Sequence, residues 1–378
     1  MIAHLSPFTA SRRLVDSFVF RAVADAIFRA RARSAIARFD RLEVVRCQRR
    51  ILLGLVHAAQ ATAFGRDHDF RRIRTEADFR RLVPLRTPAA LRRVGAAAMD
   101  ARLLQQARRD AWTTALAFVA TVRPEARLLS GRLALADAAD VIPALVQPYA
   151  LTGEVAADRL IAEPITCLAG SAQAIASWID HARYCTGRDR ISDIWPRLKA
   201  VLYNGKGPAG DAAPQLRQAL GSDVLLLETR ISPDGPVAVE DPRGGGLRLL
   251  FDHGVYFEFT PAAEGGTPEA VRLALADVEP DVVYEMAMTS PAGLWGCRTG
   301  MAVRFERRDP PLFQIVEMPV ACSSPVPGPT RRVVVDGKTV LTHSLCPSPA
   351  PHRQSAGIPA APPEKLVHTP WSAPADRG

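Results

Sequence analysis

The sequence lacks the cysteine spacing that marks zinc sites and disulfide frameworks. Its six cysteines are far apart, with no Cys-x-x-Cys pair. It also lacks an apolar run of bilayer-spanning length, the longest candidate being the short segment from Ala115 to Val122. Charged residues interrupt the N-terminal segment, so it does not read as a signal peptide. We therefore expect a cytoplasmic protein in a reducing compartment.

Aromatic residues are scarce wherever positive charge is concentrated. The 378-residue chain has a formal net charge of +9, carried by dispersed arginines rather than lysines. Basic clusters at Arg31 to Arg38, Arg71 to Arg81 and Arg92 to Arg93 are mixed with apolar helical residues and contain one aromatic among them, Phe79, rather than the series of aromatics that stacks nucleic-acid bases. Charge alone allows a nucleic acid or an anionic membrane as partner, but solvated helix faces are the favoured interpretation. We expect no nucleic-acid partner.

Residues 10 to 39 are predicted to form a basic amphipathic helix, because apolar residues recur there at three- and four-residue spacing. Its predicted apolar stripe includes Val19, Ala22, Ala26 and Ile27. Such a helix can lie on a membrane surface or pack against its own domain. Asp16 and Asp25 dilute the positive charge, so packing is favoured over a membrane surface.

The densest strand patterning lies between Phe251 and Glu306. Apolar and polar residues alternate from Val255 to Phe259 and again from Tyr284 to Met288, which is typical of half-buried strands. A Ser-Pro-Ala-Gly break from Ser290 to Gly293 separates two of these strands. The pattern fits either a core meander or a ligand-binding platform, and periodicity does not choose between them. Together with the helical patterns before it, this stretch predicts an α/β fold.

Composition divides the chain into two parts. Residues 1–318 are predicted to form one region, helical over 1–122 and α/β over 123–318. Residues 319–378 contain twelve of the 31 prolines and one strand-like patch, Arg332 to Leu341. Such a composition buries too little apolar surface to offset the entropy of ordering, so we predict a largely disordered tail.

Four short segments, taken in their order along the chain, resemble the motifs of a known protein family. Ala61 to His68 reads ATAFGRDH, Asp193 to Leu198 reads DIWPRL, Gly254 to Pro261 reads GVYFEFTP, and Tyr284 to Trp295 begins with YE and ends with GLW. In this order they resemble motifs of the Gretchen Hagen family of auxin-responsive acyl-acid amido synthetases, in its shorter bacterial form. The resemblance implies a truncated adenylate-forming N-terminal region, with mixed sheets packed between helices.

The resemblance also implies a reaction. Members of the family use ATP to activate a carboxylic acid as an acyl-adenylate, and the amine of an amino acid then displaces AMP to give an amide. ATP and Mg²⁺ are thus the implied cofactors, and a small carboxylic acid and an amino acid are the implied substrates. Such a site must neutralise a triphosphate, hold Mg²⁺ and bind the ribose.

The family's Tyr-x-x-Ser-Glu-Gly motif falls on Arg230 to Gly235. Arg230 then replaces a stacking tyrosine and Pro233 replaces the serine. Asp234 becomes the implied metal ligand, with a carboxylate one methylene shorter than the family's glutamate, and Gly235 is retained. The nearby Asn204-Gly205-Lys206-Gly207 turn could approach phosphates, but a structural turn is the favoured interpretation.

The family's ribose-binding motif falls on Trp295 to Met301. Arg298 and Gly300 are retained, and the resemblance makes Arg298 a phosphate contact and Gly300 part of the nucleotide site. Met301 stands in place of the aspartate that binds the ribose, and its thioether cannot accept two strong hydroxyl hydrogen bonds. No catalytic residue is assigned.

Two further family features are missing from the sequence. Between Gly95 and Ala101 the chain reads Ala-Ala-Ala-Met-Asp, without the hydroxyls and glycines of a phosphate loop. The proline-rich tail stands where the family's C-terminal domain is expected. Because one lost charge-stabilising donor can cost about 3 kcal/mol, we predict that ATP-driven activation is absent or very slow. The alternative is a non-catalytic protein that binds a small acid, a nucleotide or a protein partner.

Overall fold

The chain divides into two compact units, Met1–Ser323 and Ser324–Gly378. A computed structural model describes residues 18–93, 100–136, 151–152, 157–205, 212–264, 270–317, 331–335 and 338–342. The predicted loss of the phosphate loop between Gly95 and Asp100 lies almost entirely outside the described residues.

Helices cover much of the first third of the larger unit. The described α-helices are α1 (Phe18–Asp40), α2 (Val44–Ala59), α3 (Ala63–Asp67), α4 (Glu76–Leu82), α5 (Pro88–Arg93), α6 (Ala101–Val122), α7 (Ala157–Ala162), α8 (Ala172–Thr186), α9 (Ile191–Ile194) and α10 (Ala212–Leu220). Side-chain caps define several starts. Asp100 accepts hydrogen bonds from the N–H groups of Arg102 and Leu103 at the start of α6, where four backbone donors lack helical partners.

An 11-stranded mixed sheet runs through the larger unit. Its strands are β1 (Leu133–Leu135), β2 (Leu151–Thr152), β3 (Cys167–Ser171), β4 (Ala200–Asn204), β5 (Leu225–Ser232), β6 (Gly235–Asp241), β7 (Gly246–Leu249), β8 (Tyr256–Pro261), β9 (Val283–Ser290), β10 (Leu294–Arg308) and β11 (Pro311–Val316). They lie in the order β2-β1-β3-β4-β5-β6-β7-β11-β10-β9-β8. This confirms the predicted α/β fold.

The sheet changes character at β5. Strands β1 to β5 pair in parallel, whereas every pairing from β5–β6 onward to β8 is antiparallel. Both faces of the parallel part are buried, as helical crossovers require. Leu202 of β4 belongs to the apolar cluster that includes Leu116 of α6, and its neighbour Val201 belongs to a second cluster with Ile179 of α8.

Strand β8 forms one edge of the sheet, and other parts of the chain cover that edge. The N–H of Phe259 donates to the carbonyl of Leu273 at 3.0 Å, and the N–H of Leu273 donates back at 2.8 Å. Gln48 of α2 completes the cover. Its side chain accepts from the N–H of Phe257 at 2.8 Å and donates to the carbonyl of Val255 at 3.0 Å.

Helix α1 buries a different face from the one that the sequence predicted. The residues that pack into the core are Ala24, Phe28, Ala32, Ile36 and Phe39. Val19 and Ile27, which belong to the predicted stripe, are instead 70% and 49% exposed. Asp25, which we expected to dilute the surface charge, is buried and accepts hydrogen bonds from the N–H groups of Leu129 and Ser130 at 2.9 and 2.7 Å. The helix therefore has two apolar faces.

The smaller unit contains an antiparallel strand pair among its described residues, β12 (Arg331–Val335) and β13 (Lys338–Thr342). This pair coincides with the strand-like patch in the sequence. The prediction of disorder for the remainder of residues 319–378 lies outside the described residues. None of the described helices, in either unit, has the length and apolar character needed to cross a bilayer.

Candidate functional site

A cavity of about 370 Å³ lies beside β5, where the sheet changes from parallel to antiparallel. Its lining comes from the carboxyl end of β4, the end of β5, the β5–β6 turn, strands β6, β9 and β10, and Pro88 of α5. In open α/β sheets, crevices outside the carboxyl ends of parallel strands are common ligand sites. We take this cavity as the candidate functional site.

The walls of the cavity are largely apolar. The apolar lining residues include Ile231, Val237, Met288, Leu294 and Met301. The polar lining side chains are Asn204, Arg230, Ser232, Asp234 and Thr299. An apolar cavity with a few polar groups is typical of a site for a small organic molecule.

The β5–β6 turn places Asp234 at the cavity. The Ser232 hydroxyl accepts from the N–H of Asp234 at 3.2 Å, and the Ser290 hydroxyl donates to the carbonyl of Asp234 at 2.6 Å. Gly235 follows with a φ of 143°, and a Cβ added there would lie 3.0 Å from a methyl of Val255. Glycine is therefore required next to Asp234, and this packing accounts for the Asp-Gly pair in the sequence.

Asp234 is the one carboxylate among the described residues that line the cavity. The described part of the chain contains no group of three or more His, Cys, Asp or Glu side chains that could hold a metal ion. A single carboxylate is still compatible with Mg²⁺, because this ion often takes most of its ligands from water and phosphate. The assignment of Asp234 as a metal ligand stays a prediction.

Arg298 is paired within the sheet. Its Nε donates to both carboxylate oxygens of Glu285, at 2.9 and 3.0 Å, and Nη2 also contacts this carboxylate. Its backbone N–H donates to the carbonyl of Arg86 at 2.8 Å. The described lining of the cavity includes its neighbours Cys297 and Thr299 but not Arg298 itself. Its role as a phosphate contact stays a prediction.

Strand β10 is irregular where it meets the cavity. The register against β9 shifts between Arg298 and Ala302, and Gly300 within this segment has a φ of 72°. Thr299 stabilises the irregular segment, since its hydroxyl donates to the carbonyl of Met286 at 2.8 Å and accepts from the N–H of Met301 at 3.1 Å. Gly300 and Met301 both line the cavity. A thioether thus stands at the position that the resemblance gives to a ribose-binding aspartate.

Arg230 is a cavity residue whose role the sequence did not indicate. It is 7% exposed, its Nη1 donates to the carbonyl of Gly205 at 3.1 Å, and its Nε pairs with Glu228. The hydroxyl of Tyr203 donates to the same Glu228 carboxylate at 3.2 Å. The sequence showed an arginine in place of tyrosine. It did not show that neighbouring strands hold the guanidinium at the cavity wall.

A second, more polar cavity of about 360 Å³ also uses Arg230 as a wall. Glu228, Glu240 and Arg217 line it as well. Burial raises the pKa of Glu240, and the negative charge of Glu228 adds to this effect. The Arg230–Glu228 pair therefore stands between a mostly apolar cavity and a charged one.

Asn204 ends β4 at the apolar cavity. Its side chain bonds to both backbone groups of Ile231, donating to the carbonyl at 2.8 Å and accepting from the N–H at 3.1 Å. This pairing gives the Asn204 side chain a structural role within the sheet. Lys206 and Gly207 lie outside the described residues.

Comparisons with known proteins agree with this fold. The chain matches the model of the GH3 family N-terminal domain over residues 38–93 and that of the GH3 family central domain over residues 248–317. Among solved structures, it is similar to AtGH3.15 acyl acid amido synthetase in complex with 2,4-DB, with a TM-score of 0.58 and 12% identity over 84% of this chain and 72% of that one. A further GH3.15 acyl acid amido synthetase structure gives a TM-score of 0.55 and 15% identity, over 75% and 70%.

An open conformation of 2-hydroxyisobutyryl-CoA ligase, in complex with 2-HIB-AMP and CoA, is also similar. Its TM-score is 0.51 at 10% identity, over 77% of this chain and 76% of that chain. At such low identities these structures establish a shared fold. No curated protein sequence matches the chain.

Proposed function

Because the chain belongs to the GH3 family of the adenylate-forming superfamily, we propose that its apolar cavity binds a small carboxylic acid. We further propose that ATP-dependent ligation of this acid to an amino acid is strongly impaired. The observation that carries the first proposal is a buried arginine, Arg230, on the wall of a mostly apolar cavity.

Arg230 suits the recognition of a carboxylate. A guanidinium offers a planar fork of donors that matches the two oxygens of a carboxylate, and the match is strongest where water is excluded. The carbonyl of Gly205 and the carboxylate of Glu228 orient the group from within the fold. The apolar body of the acid would then lie against Met288 and Leu294, which line the same cavity.

Impaired ligation is supported by the poor fit of the cavity to a nucleotide. Met301 lines the cavity and occupies the sequence position that the resemblance gives to the ribose-binding aspartate, and a thioether is a weak acceptor for hydroxyl groups. Asp234 retains a carboxylate that could meet Mg²⁺ together with phosphate oxygens. The cavity therefore favours the acid over ATP, and the chain would keep acid binding even where adenylation is lost.

Substitution Arg230→Met is expected to weaken acid binding by about ten- to a hundredfold, because a hydrogen bond to a charged group contributes roughly 1.5–3 kcal/mol. The measurement is calorimetric titration with 4-phenylbutyrate, with the neutral 4-phenylbutanamide as the matched ligand. The amide should bind both proteins alike. Arg217→Met, in the second cavity, is the control and should leave acid binding unchanged.

Equal acid affinity in wild type and in a folded R230M protein would remove Arg230 from the site while leaving the acid-binding function in place. If wild type binds neither 4-phenylbutyrate nor any shorter or aromatic acid of a test panel, the acid-binding function itself is wrong. A thermal melt of each variant checks that it is folded, since R230M leaves Glu228 with fewer partners.

Substitution Met301→Asp is expected to tighten Mg-ATP binding at least about tenfold, because it supplies a charged acceptor for the ribose hydroxyls. Met301→Leu is the matched control and should bind ATP as weakly as wild type. Both are measured by calorimetric titration. Rapid acid-dependent exchange of labelled pyrophosphate into ATP by wild type, abolished in Asp234→Ala, would show that adenylation, the first step of the ligation, is not impaired.

A further inference from the structure

The outer face of α1 presents large apolar side chains to solvent. Val19, Phe20, Val23 and Ile27 are 70%, 51%, 54% and 49% exposed. With about 3.6 residues per turn, these positions lie on one side of the helix. The opposite side packs into the core through Phe28 and Ile36, so the exposure does not come from a detached helix. Scattered single apolar residues on a surface are ordinary, but a continuous patch of them requires an explanation.

The same helix carries positive charge that the fold does not neutralise. Arg31 and Arg33 are exposed, one turn beyond the apolar patch, and no acidic side chain of the described residues pairs with either. The two acids of α1 are both used inside the fold. Asp25 holds backbone N–H groups near residue 129, and Asp40 pairs with Arg243 and Arg248. Within the described helix, residues 18–40, the outer face is therefore apolar and basic, without acidic side chains.

We propose that the outer face of α1, formed by Val19, Phe20, Val23 and Ile27 with Arg31 and Arg33, binds the surface of an anionic membrane. The helix lies in the plane of the interface, with its apolar side chains among the acyl chains. The arginine stems follow the helix surface, and their guanidinium groups reach the lipid phosphates. This inference does not depend on the proposed acid-binding function.

The positive charge of this face favours an anionic membrane over a second copy of this chain as the binding partner. Two copies joined through this face would bring arginines from both helices to one interface, and the face offers no acid to pair with them. Like charges in a desolvated interface oppose association. An anionic lipid surface supplies the negative charge and also accepts the convex apolar strip without a matching groove.

The test is co-sedimentation of the full chain with vesicles of phosphatidylcholine alone and of phosphatidylcholine mixed with phosphatidylserine, at low and at high salt. We expect binding to the mixed vesicles at low salt, and weaker binding as salt screens the arginines. The double substitution Phe20→Ser with Ile27→Ser should lower the partition coefficient at least about tenfold, because two apolar side chains no longer insert. Leu103→Ser is the matched control, since Leu103 is 47% exposed but lies on α6.

The double substitution Arg31→Gln with Arg33→Gln should lower binding to the mixed vesicles about tenfold and reduce its salt dependence. Absence of wild-type binding to anionic vesicles at low salt overturns the proposal. So does binding that Phe20→Ser with Ile27→Ser leaves unchanged in a folded protein. Sedimentation velocity completes the test, because a dimer that this double variant abolishes, without vesicle binding, would assign the face to a second copy instead.

Discussion

Replacing Arg248 with methionine is expected to lower the free energy of unfolding by about 3 kcal/mol, because it removes one partner from a buried ionic cluster. Arg248 is 1% exposed on β7. It pairs with Asp40 of α1 and with Asp241 of β6, the latter at 3.3 Å, and its guanidinium lies 4.2 Å from the ring centroid of Phe39. Methionine keeps much of the volume but leaves Asp241, which is 2% exposed, with less compensating charge.

Urea unfolding measures this effect, with Arg243→Met as the matched control. The Arg243 side chain pairs with the same two carboxylates but is 37% exposed, so its loss should cost about 1 kcal/mol or less. If the free energy of unfolding of R248M is within about 0.5 kcal/mol of the wild-type value, the cluster does not stabilise the contact between α1 and the sheet.

The same variant has a pH signature. Burial opposes ionisation of Asp241, but hydrogen bonds from Arg243 and the positive charges of Arg243 and Arg248 outweigh it and lower the pKa of this carboxyl. A carboxyl with a lowered folded-state pKa contributes stability above its unfolded pKa of about 3.9, and this stability is lost as pH falls through the folded value. The loss of unfolding free energy in R248M should therefore be largest near pH 7 and become smaller below about pH 4.

Substitution Gln48→Leu is expected to destabilise the protein by about 3 kcal/mol or more, because it leaves three buried backbone groups without partners. Gln48 is 4% exposed on α2. It donates to the carbonyls of Phe251 and Val255 at 2.6 and 3.0 Å and accepts from the N–H of Phe257 at 2.8 Å. Leucine has a similar volume, so the change isolates the hydrogen bonds from packing.

Chemical denaturation of Q48L measures the loss of unfolding free energy. Hydrogen exchange at the Phe257 amide shows whether the destabilisation occurs at β8. Gln106→Leu is the matched control, because Gln106 is exposed on α6 and should change stability by no more than about 0.5 kcal/mol. Slow exchange of the Phe257 amide in Q48L, or a decrease of less than about 1 kcal/mol in the free energy of unfolding, would contradict the role assigned to these hydrogen bonds.

The local pattern of apolar residues predicted strands correctly, whereas contacts between residues far apart in the sequence could not be predicted from it. The alternation around Phe257 and Met286 correctly identified β8 and β9 as strands, because successive side chains of a strand point to opposite faces. Both strands are buried on both faces rather than half-buried, since the intervening polar residues Glu258 and Glu285 are buried as well. The outward orientation of Val19 was not predictable, since α1 is apolar on both sides and periodicity cannot say which side meets the sheet. Gln48 showed no local signal, because its three partners lie more than 200 residues away.

For the candidate site, the sequence likewise indicated which residues lie near one another in the chain but not which distant residues contact them. The resemblance placed Asp234, Gly300 and Met301 in one region, and all three line the same cavity. It could not place the Arg298 side chain, because the register shift in β10 and the partner Glu285 depend on strand pairing. The position of Arg230 depends likewise on Glu228 and Gly205, which are aligned by β4 and β5.

The cover over β8 has a consequence for solubility. An edge strand with unpaired N–H and C=O groups is a template for strand addition by another molecule, and a long apolar edge is an aggregation hazard. In β8 the outward-facing N–H groups of Phe257 and Phe259 are already taken, one by the amide of Gln48 and the other by the backbone of Leu273. One helical side chain and one short backbone segment thus take the place of a neighbouring strand and block strand addition at this edge of the sheet.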